Sequence, residues 1–429
     1  MAYNSNYVST SYKLLANNRE TLRWSREEPA QLHRSEFSKD RDRILYSKSF
    51  LRLLGKTQVF MLHDNDYIRT RLTHTLEVNQ IAKTIAIALG QNVELTEAIA
   101  LGHDVGHTPF GHVGERTLDK ILEKDDDTPA DQKGFKHNLQ ALRLLCNLEK
   151  SADYPEQKGL NLTKYVLWGI AHHSSISEKP YYNNILSGLN NYWSFEGYIV
   201  AMADEIAQRH HDIEDSLRYN IIGRDDLIGK LYEFEPCFTS HDYDTYKKLK
   251  DGVKRLENPV FSALFSRLVV NMYVNDAITT IKQNIKEFER IKDIKNQQDF
   301  VDIKPNIEVN ERENIVTFSS ELREKDSDFQ EFLKGNVLSS FNAQSMDGKG
   351  EYIIRKLYAA FKINPRQLPD TAQKSFFDFI GRDFDRSKIM DVIDGNKCLL
   401  HRCIVDYIGG MTDRFAYQEY DRLYGTRLY

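Results

Sequence analysis

An all-α protein is expected from three observations. Apolar residues recur at three- and four-residue steps along most of the chain, glycine and proline punctuate those runs, and strand-type alternation is confined to one short stretch. With 429 residues the chain can bury a large core. Val78, Ile81, Ala82, Ile85, Ala86 and Leu89 form the first apolar stripe and Gly90 supplies a C-terminal stop, so a helix is predicted there, with His74 one turn earlier on the same stripe. A second helix, Glu94 to Asp104, sets Leu95, Ile99 and His103 in line at four-residue steps and aims His103 at the core. Pro109 and the glycines at 106, 111 and 114 then break regularity, before a third helix carrying Leu118, Ile121 and Leu122. If that helix begins near Gly111, His112 and Glu115 share a face.

Further along, Tyr198 to Ala203 is apolar on all sides and leads into Asp204, which is therefore expected to be buried. A buried carboxylate must be protonated, paired or bound to a metal. Helical periodicity continues from Leu256 to Ile291 and again from Phe329 to Tyr429. Between them, Ile307 with Val309 and Val316 with Phe318 alternate around the polar stretch 310–314, which predicts a small β-hairpin. The expected architecture is thus all-α, a helical core followed by a C-terminal helical region, with that hairpin as its one β feature.

Composition excludes several classes. The 58 basic and 63 acidic side chains give a net charge of -5, which does not support a general nucleic-acid or membrane surface. Cys146, Cys237, Cys398 and Cys403 lack paired spacing, so neither a disulfide framework nor a thiolate zinc site is indicated. No run approaches the ~20 apolar residues of a spanning helix, and the first residues lack the apolar stretch of a signal peptide. A soluble, cytoplasmic protein is expected.

Nine of the thirteen histidines fall between His74 and His211, three of them in the run His103-Asp104-Val105-Gly106-His107-Thr108-Pro109-Phe110-Gly111-His112-Val113-Gly114-Glu115. Imidazole is both a common metal ligand and a base near neutral pH, so this density suits metal-dependent hydrolysis. An isolated His-Asp pair would carry little weight. Here His74 precedes the pair His103-Asp104 and Asp204 follows, and this order resembles the HD-domain metal phosphohydrolases, in which four such residues converge on one divalent cation. The motifs Asp40 to Ile44, Phe50 to Leu53, Lys56-Thr57-Gln58-Val59-Phe60, Arg71-Leu72-Thr73-His74, His137-Asn138 and Asp406 to Arg414 narrow the resemblance to the deoxynucleoside triphosphate triphosphohydrolases, the dGTPase and dNTPase family.

That resemblance implies an HD-type catalytic core with an N-terminal arm over residues 1–230. Residues 231–429 would form a C-terminal helical region completing the pocket and the oligomer contacts. It implies cleavage between the 5′ oxygen and the α-phosphorus of a deoxynucleoside triphosphate, dGTP foremost, giving deoxynucleoside and inorganic triphosphate. The metal ligands would be His74, His103, Asp104 and Asp204, a mixed nitrogen and oxygen set suited to Mg²⁺, Mn²⁺ or iron. His112, oriented by Glu115, would activate water or protonate the departing 5′ oxygen. Arg71, His107 and His137 are phosphate candidates, against the alternatives of a surface salt bridge for Arg71 and capping or core roles for the histidines. Gln58 is expected near the deoxyribose and base, and Asp212 near the sugar hydroxyl unless it pairs with Arg209. Relatives commonly carry tyrosine where this chain has Gln208, which bears on how the sugar pocket closes.

Two histidine pairs, His172-His173 and His210-His211, remain open between site and structural roles. Arg19, Arg23, Arg26, Arg34 and Arg41 read as a solvated face; by resemblance, a homo-oligomer, hexamer or tetramer, could use such surface for a dNTP or single-stranded DNA activator. Two rival functions stand beside the main one. One is an HD phosphohydrolase acting on another nucleotide, and the other a nucleotide- or single-strand-binding regulator with a vestigial metal site.

Overall fold

A computed structural model describes residues 22–28, 33–57, 69–151, 156–176 and 179–425. In chain order its helices include α1 (Glu36–Leu45), α2 (Arg71–Leu89), α3 (Val93–Gly102), α4 (Gly111–Lys124), α5 (His137–Arg143), α6 (Lys164–His172), α7 (Phe195–Arg218) and α8 (Arg224–Tyr232). They continue with α9 (Ser240–Gly252), α10 (Asn258–Ile291), α11 (Val309–Ile315), α12 (Ser320–Leu338), α13 (Phe341–Ile363), α14 (Asp370–Phe379), α15 (Lys397–Gly409) and α16 (Asp413–Tyr424). Among the described residues no strand is longer than an isolated bridge, such as that between Thr57 and Thr70. No helix among them is long and apolar enough to cross a membrane.

The predicted helices around the histidines are present. α2 extends past Val78 back to Arg71, placing His74 in its first turn, and Gly90 ends it at a φ of 65°, the left-handed region that glycine tolerates. α4 begins at Gly111, and Leu118 and Leu122 are buried on its inner face. Asp204 departs from expectation: it is half-buried, as are Tyr198 and Ala201 on the same stretch of α7. The expected hairpin is absent. Lys304–Asn306 forms a 3-10 turn, and a reciprocal cap between Glu308 and Glu311 starts α11 at Val309. Satisfying the first N–H groups of a helix outweighs the weak two-residue alternation on either side.

The chain divides into two compact units, each drawn from separated stretches. Within the described residues the first comprises Leu76–Ala100 and Asn191–Ala343. Here α10 and α12 pack on α7, and Phe234, Tyr273, Phe318 and Phe329 meet edge-on or tilted in its core. Arg209 on α7 pairs with buried Asp326 on α12, which also accepts from the Tyr273 hydroxyl. The second unit comprises Leu22–Thr75, Leu101–Asn190 and Gln344–Tyr429. In it α15 packs on α4 and α14, and Leu118, Leu122 and Phe135 join Ile354, Leu357, Phe361, Phe376, Leu400, Ile404 and Ile408 in one apolar cluster. Burial of this size is the main favourable term holding each unit together.

Candidate metal and phosphate site

In the second unit the segment between α3 and α4 folds as a tight loop pinned from several sides. A Cβ on Gly106 would lie 2.0 Å from the His137 carbonyl oxygen and 2.3 Å from the Ala141 amide nitrogen, so glycine permits the loop to lie directly on α5. Buried Lys56 donates to the His107 carbonyl and, at 3.1 Å, to that of Gly409. Asp413 accepts from the amides of Thr57 and Phe110, at 3.1 and 3.0 Å. Phe110 sits at a φ of 61° immediately before α4. Residues remote in sequence thus fix the backbone that carries the histidines.

Asp104 is the electrostatic centre of this loop. Its Oδ2 lies 2.8 Å from Nη1 of Arg71, and its Oδ1 lies 3.0 Å from Nε2 of His107 and 3.6 Å from Nε2 of His103. Burial alone would raise the Asp104 carboxyl, but the neighbouring His107 ring, the Arg71 guanidinium and the His103 ring hold it well below the usual carboxylate range. The rings of His74 and His103 meet edge-on with centroids 5.6 Å apart, and both are buried. Two imidazoles and an ionised carboxylate within one buried patch are a donor set that fits a divalent cation.

Behind this patch the imidazoles stack. His107 lies on His137 at 3.9 Å between centroids, and Nε2 of His137 is 3.2 Å from Nε2 of His173. Nδ1 of His137 is 2.5 Å from Oε2 of Glu115. His112 lies farther from that same oxygen, at 3.6 Å, and 61% of its side chain is exposed. Glu115 therefore grips His137 more closely than the expected partner His112. Burial pushes both His107 and His137 down, so both are neutral near pH 7. Burial would raise Glu115, but the imidazoles of His112 and His137 hold it well below the usual range. Ligand atoms of His107, His112, Glu115 and His137 lie within 4.8 Å of one another, as do those of Asp104, His137 and His173. Two buried nitrogens here, Nε of Arg71 and Nδ1 of His107, have no hydrogen-bond partner.

The remaining expected residues are placed as follows. Arg71 is buried, so its pairing with Asp104 is not the surface salt bridge considered from sequence. Gln58 lies outside the described residues. Asp204, Gln208 and Asp212 are on α7 in the first unit, where the Gln208 amide donates to Asp212 at 2.9 Å. Asp212 does not take Arg209, which is held by Asp326. Of the open pairs, His173 joins the buried cluster whereas His172 stacks on Trp168. His210 and His211 face Glu77, a residue that the helical stripe of α2 did not single out. Lys56 and Asp413 likewise escaped notice as site-forming residues, although both stand inside the motifs that carry the resemblance.

The family model of the HD domain matches residues 71–207, and that of the phosphohydrolase-associated domain matches residues 316–422. Fold and site together define an HD-domain phosphohydrolase. Among curated proteins the chain is similar to deoxyguanosinetriphosphate triphosphohydrolase-like proteins of Geobacter metallireducens, at 36% identity over 91% of this chain and 89% of that one, and of Jannaschia sp., at 35% over 93% and 91%. A third, from Leptospira interrogans, is 34% identical over 92% of each chain. The protein belongs to this deoxyguanosinetriphosphate triphosphohydrolase-like family.

Proposed function

We propose that the protein hydrolyses a deoxynucleoside triphosphate, dGTP first, at the bond between the 5′ oxygen and the α-phosphorus, releasing deoxynucleoside and inorganic triphosphate. The observation that carries this reading is the buried ring of imidazoles and one guanidinium around Asp104, in which Arg71 Nε is a buried donor with no hydrogen-bond partner. Buried polar atoms are rarely left unmet, and a phosphate oxygen meets such a donor. The names of the relatives support the substrate class.

His74, His103 and Asp104 would hold the cation, with Asp204 retained as fourth ligand on the sequence order; Mg²⁺, Mn²⁺ or iron suits these donors. Bound there, a divalent cation polarises the α-phosphoryl group and lowers the pKa of water. Arg71 binds phosphate through its planar fork, and His107, whose neutral ring gives its Nε2 proton to Asp104, is kept as a phosphate-side residue on the resemblance. Glu115 stays ionised and fixes His137, leaving the exposed His112 beside them as the group that moves a proton, either from water or to the 5′ oxygen. Gln58, Gln208 and Asp212 are kept as sugar and base contacts on the resemblance. Residues 1–230 carry the chemistry and 231–429 complete the assembly, a cytoplasmic homo-oligomer of four or six chains with a dNTP or single-stranded DNA activator.

Incubating the full chain with each dNTP and Mn²⁺ or Mg²⁺, then separating products by ion exchange, tests the reading. Triphosphate with free deoxynucleoside is expected. Monophosphate with pyrophosphate would overturn the bond assignment, and nucleotide affinity without product would favour the regulator. In the same assay His112→Ala should lower kcat by roughly 100-fold or more while metal content is unchanged. Retained activity would remove His112 from the chemistry.

A further inference from the structure

A second constellation of histidine and carboxylate lies wholly within the first unit, apart from the residues assigned above. Glu77, on the part of α2 that belongs to this unit, turns both carboxylate oxygens toward imidazoles of α7. Oε1 contacts Nδ1 of His210, and Oε2 lies 3.0 Å from Nε2 of His211. Consecutive helical residues diverge by about 100°, so a carboxylate that reaches both must sit between their two directions. One turn on, Glu214 approaches the other ring nitrogen of His210, with Oε1 at 3.4 Å from Nε2.

His210 therefore stands between two carboxylates. If its Nε2 keeps a proton directed at Glu214, its Nδ1 presents a lone pair to Oε1 of Glu77, and two electron-rich atoms in contact need a positive charge between them. A second proton on the ring supplies that charge, and so does a metal ion. Three features favour the metal. Ligand atoms of Glu77, His210 and His211 all fall within 4.8 Å of one another, a spread that side-chain rotation closes onto bonds of about 2.1 Å. A carboxylate on the far nitrogen of a ligating histidine is the usual device that fixes its tautomer, and Glu214 stands there. The side chains of Glu77 and His210 are 23% and 16% exposed, so an ion has a way in, while His211 is fully buried and held in place.

We propose that Glu77, His210 and His211 form a second divalent transition-metal site, with Glu214 as the positioning residue for His210. Two imidazoles and one carboxylate suit Zn²⁺, Co²⁺, Fe²⁺ or Mn²⁺ rather than Mg²⁺, and water completes the coordination. The site needs no substrate and stands independently of the proposed reaction.

Equilibrium dialysis of the chelator-treated full chain against Co²⁺, read by visible absorption and metal content, tests it. Wild type should bind one more Co²⁺ per chain than either E77Q or H210A, or bind that ion roughly tenfold more tightly. E214Q should weaken the same equivalent without abolishing it. H103A should lose a different equivalent, so failure of the site around Asp104 would leave this comparison readable. Each variant is checked for an unchanged far-ultraviolet spectrum, and because E77Q preserves shape it carries the test if H210A misfolds. Identical Co²⁺ titrations for wild type, E77Q and H210A would overturn the site and leave His210 as a protonated ring between two carboxylates.

Discussion

Asp104 and Asp212 are both buried aspartates, yet their surroundings push them in opposite directions. Around Asp104 the hydrogen-bonding His107, the Arg71 guanidinium and His103 win and the carboxyl is held low. Around Asp212 burial wins: its carboxyl is pushed up to about 7, with the Gln208 amide and the charges of Lys334 and Arg209 opposing and Asp215 adding to the rise. The folded state therefore holds a proton at Asp212 that the unfolded chain releases above about pH 4. Stability attached to this group is complete below that pH and is lost as pH rises toward 7. Asp212→Asn should unfold in urea with roughly 2–4 kcal/mol more stability than wild type at pH 8 and little difference at pH 4. Equal stability at pH 8 would mean that Asp212 is already ionised at no cost. The residue scale also shows why His137 takes Glu115 so closely: a buried neutral imidazole gains a charge-assisted hydrogen bond, whereas the exposed His112 already has water.

Helices dominate the next scale, and how they are pinned decides what they can position. The loop before α4 lies against α5 because Gly106 has no side chain. Gly106→Ala drives a methyl into the backbone at His137 and Ala141, so a loss of roughly 3 kcal/mol or more is expected in denaturant unfolding, together with loss of dNTP hydrolysis. A variant as stable as wild type would show that the loop can lift off α5. In the first unit, α7 is tied to α12 by Arg209 and Asp326, both nearly fully buried. Asp326→Asn leaves the guanidinium without its counter-charge and should cost about 3 kcal/mol by urea denaturation, far beyond what a surface pair gives. The helical stripes that announced α2, α3 and α4 could be read from a few neighbouring residues because a helix repeats its burial every turn. At 305–318 the same local reading misled, since Ile307, Ile315, Val316 and Phe318 are buried by packing of a short capped helix rather than by one face of a strand.

For the molecule as a whole, a cation that binds only the native state must stabilise it. Mn²⁺ at about 100 times its dissociation constant adds roughly 2.7 kcal/mol, so the apparent Tm should rise by a few degrees and return on chelation. His103→Ala should lose the part of that shift that comes from the site around Asp104; a Tm insensitive to Mn²⁺ and chelator would argue against the ligand set. The repeat of apolar residues and the order of His74, His103-Asp104 and Asp204 were enough to announce a helical HD-type protein, because helix periodicity and motif spacing are local properties written within a few residues. They did not reveal that Lys56 would reach the Gly409 carbonyl 353 positions away, that Asp413 would hold the Phe110 amide across 303, or that Glu115 would choose His137 over His112. Nor did they join Glu77 to His210 and His211. Such pairings follow from which surfaces bury against each other, a balance summed over an entire unit, and no short stretch of chain contains it.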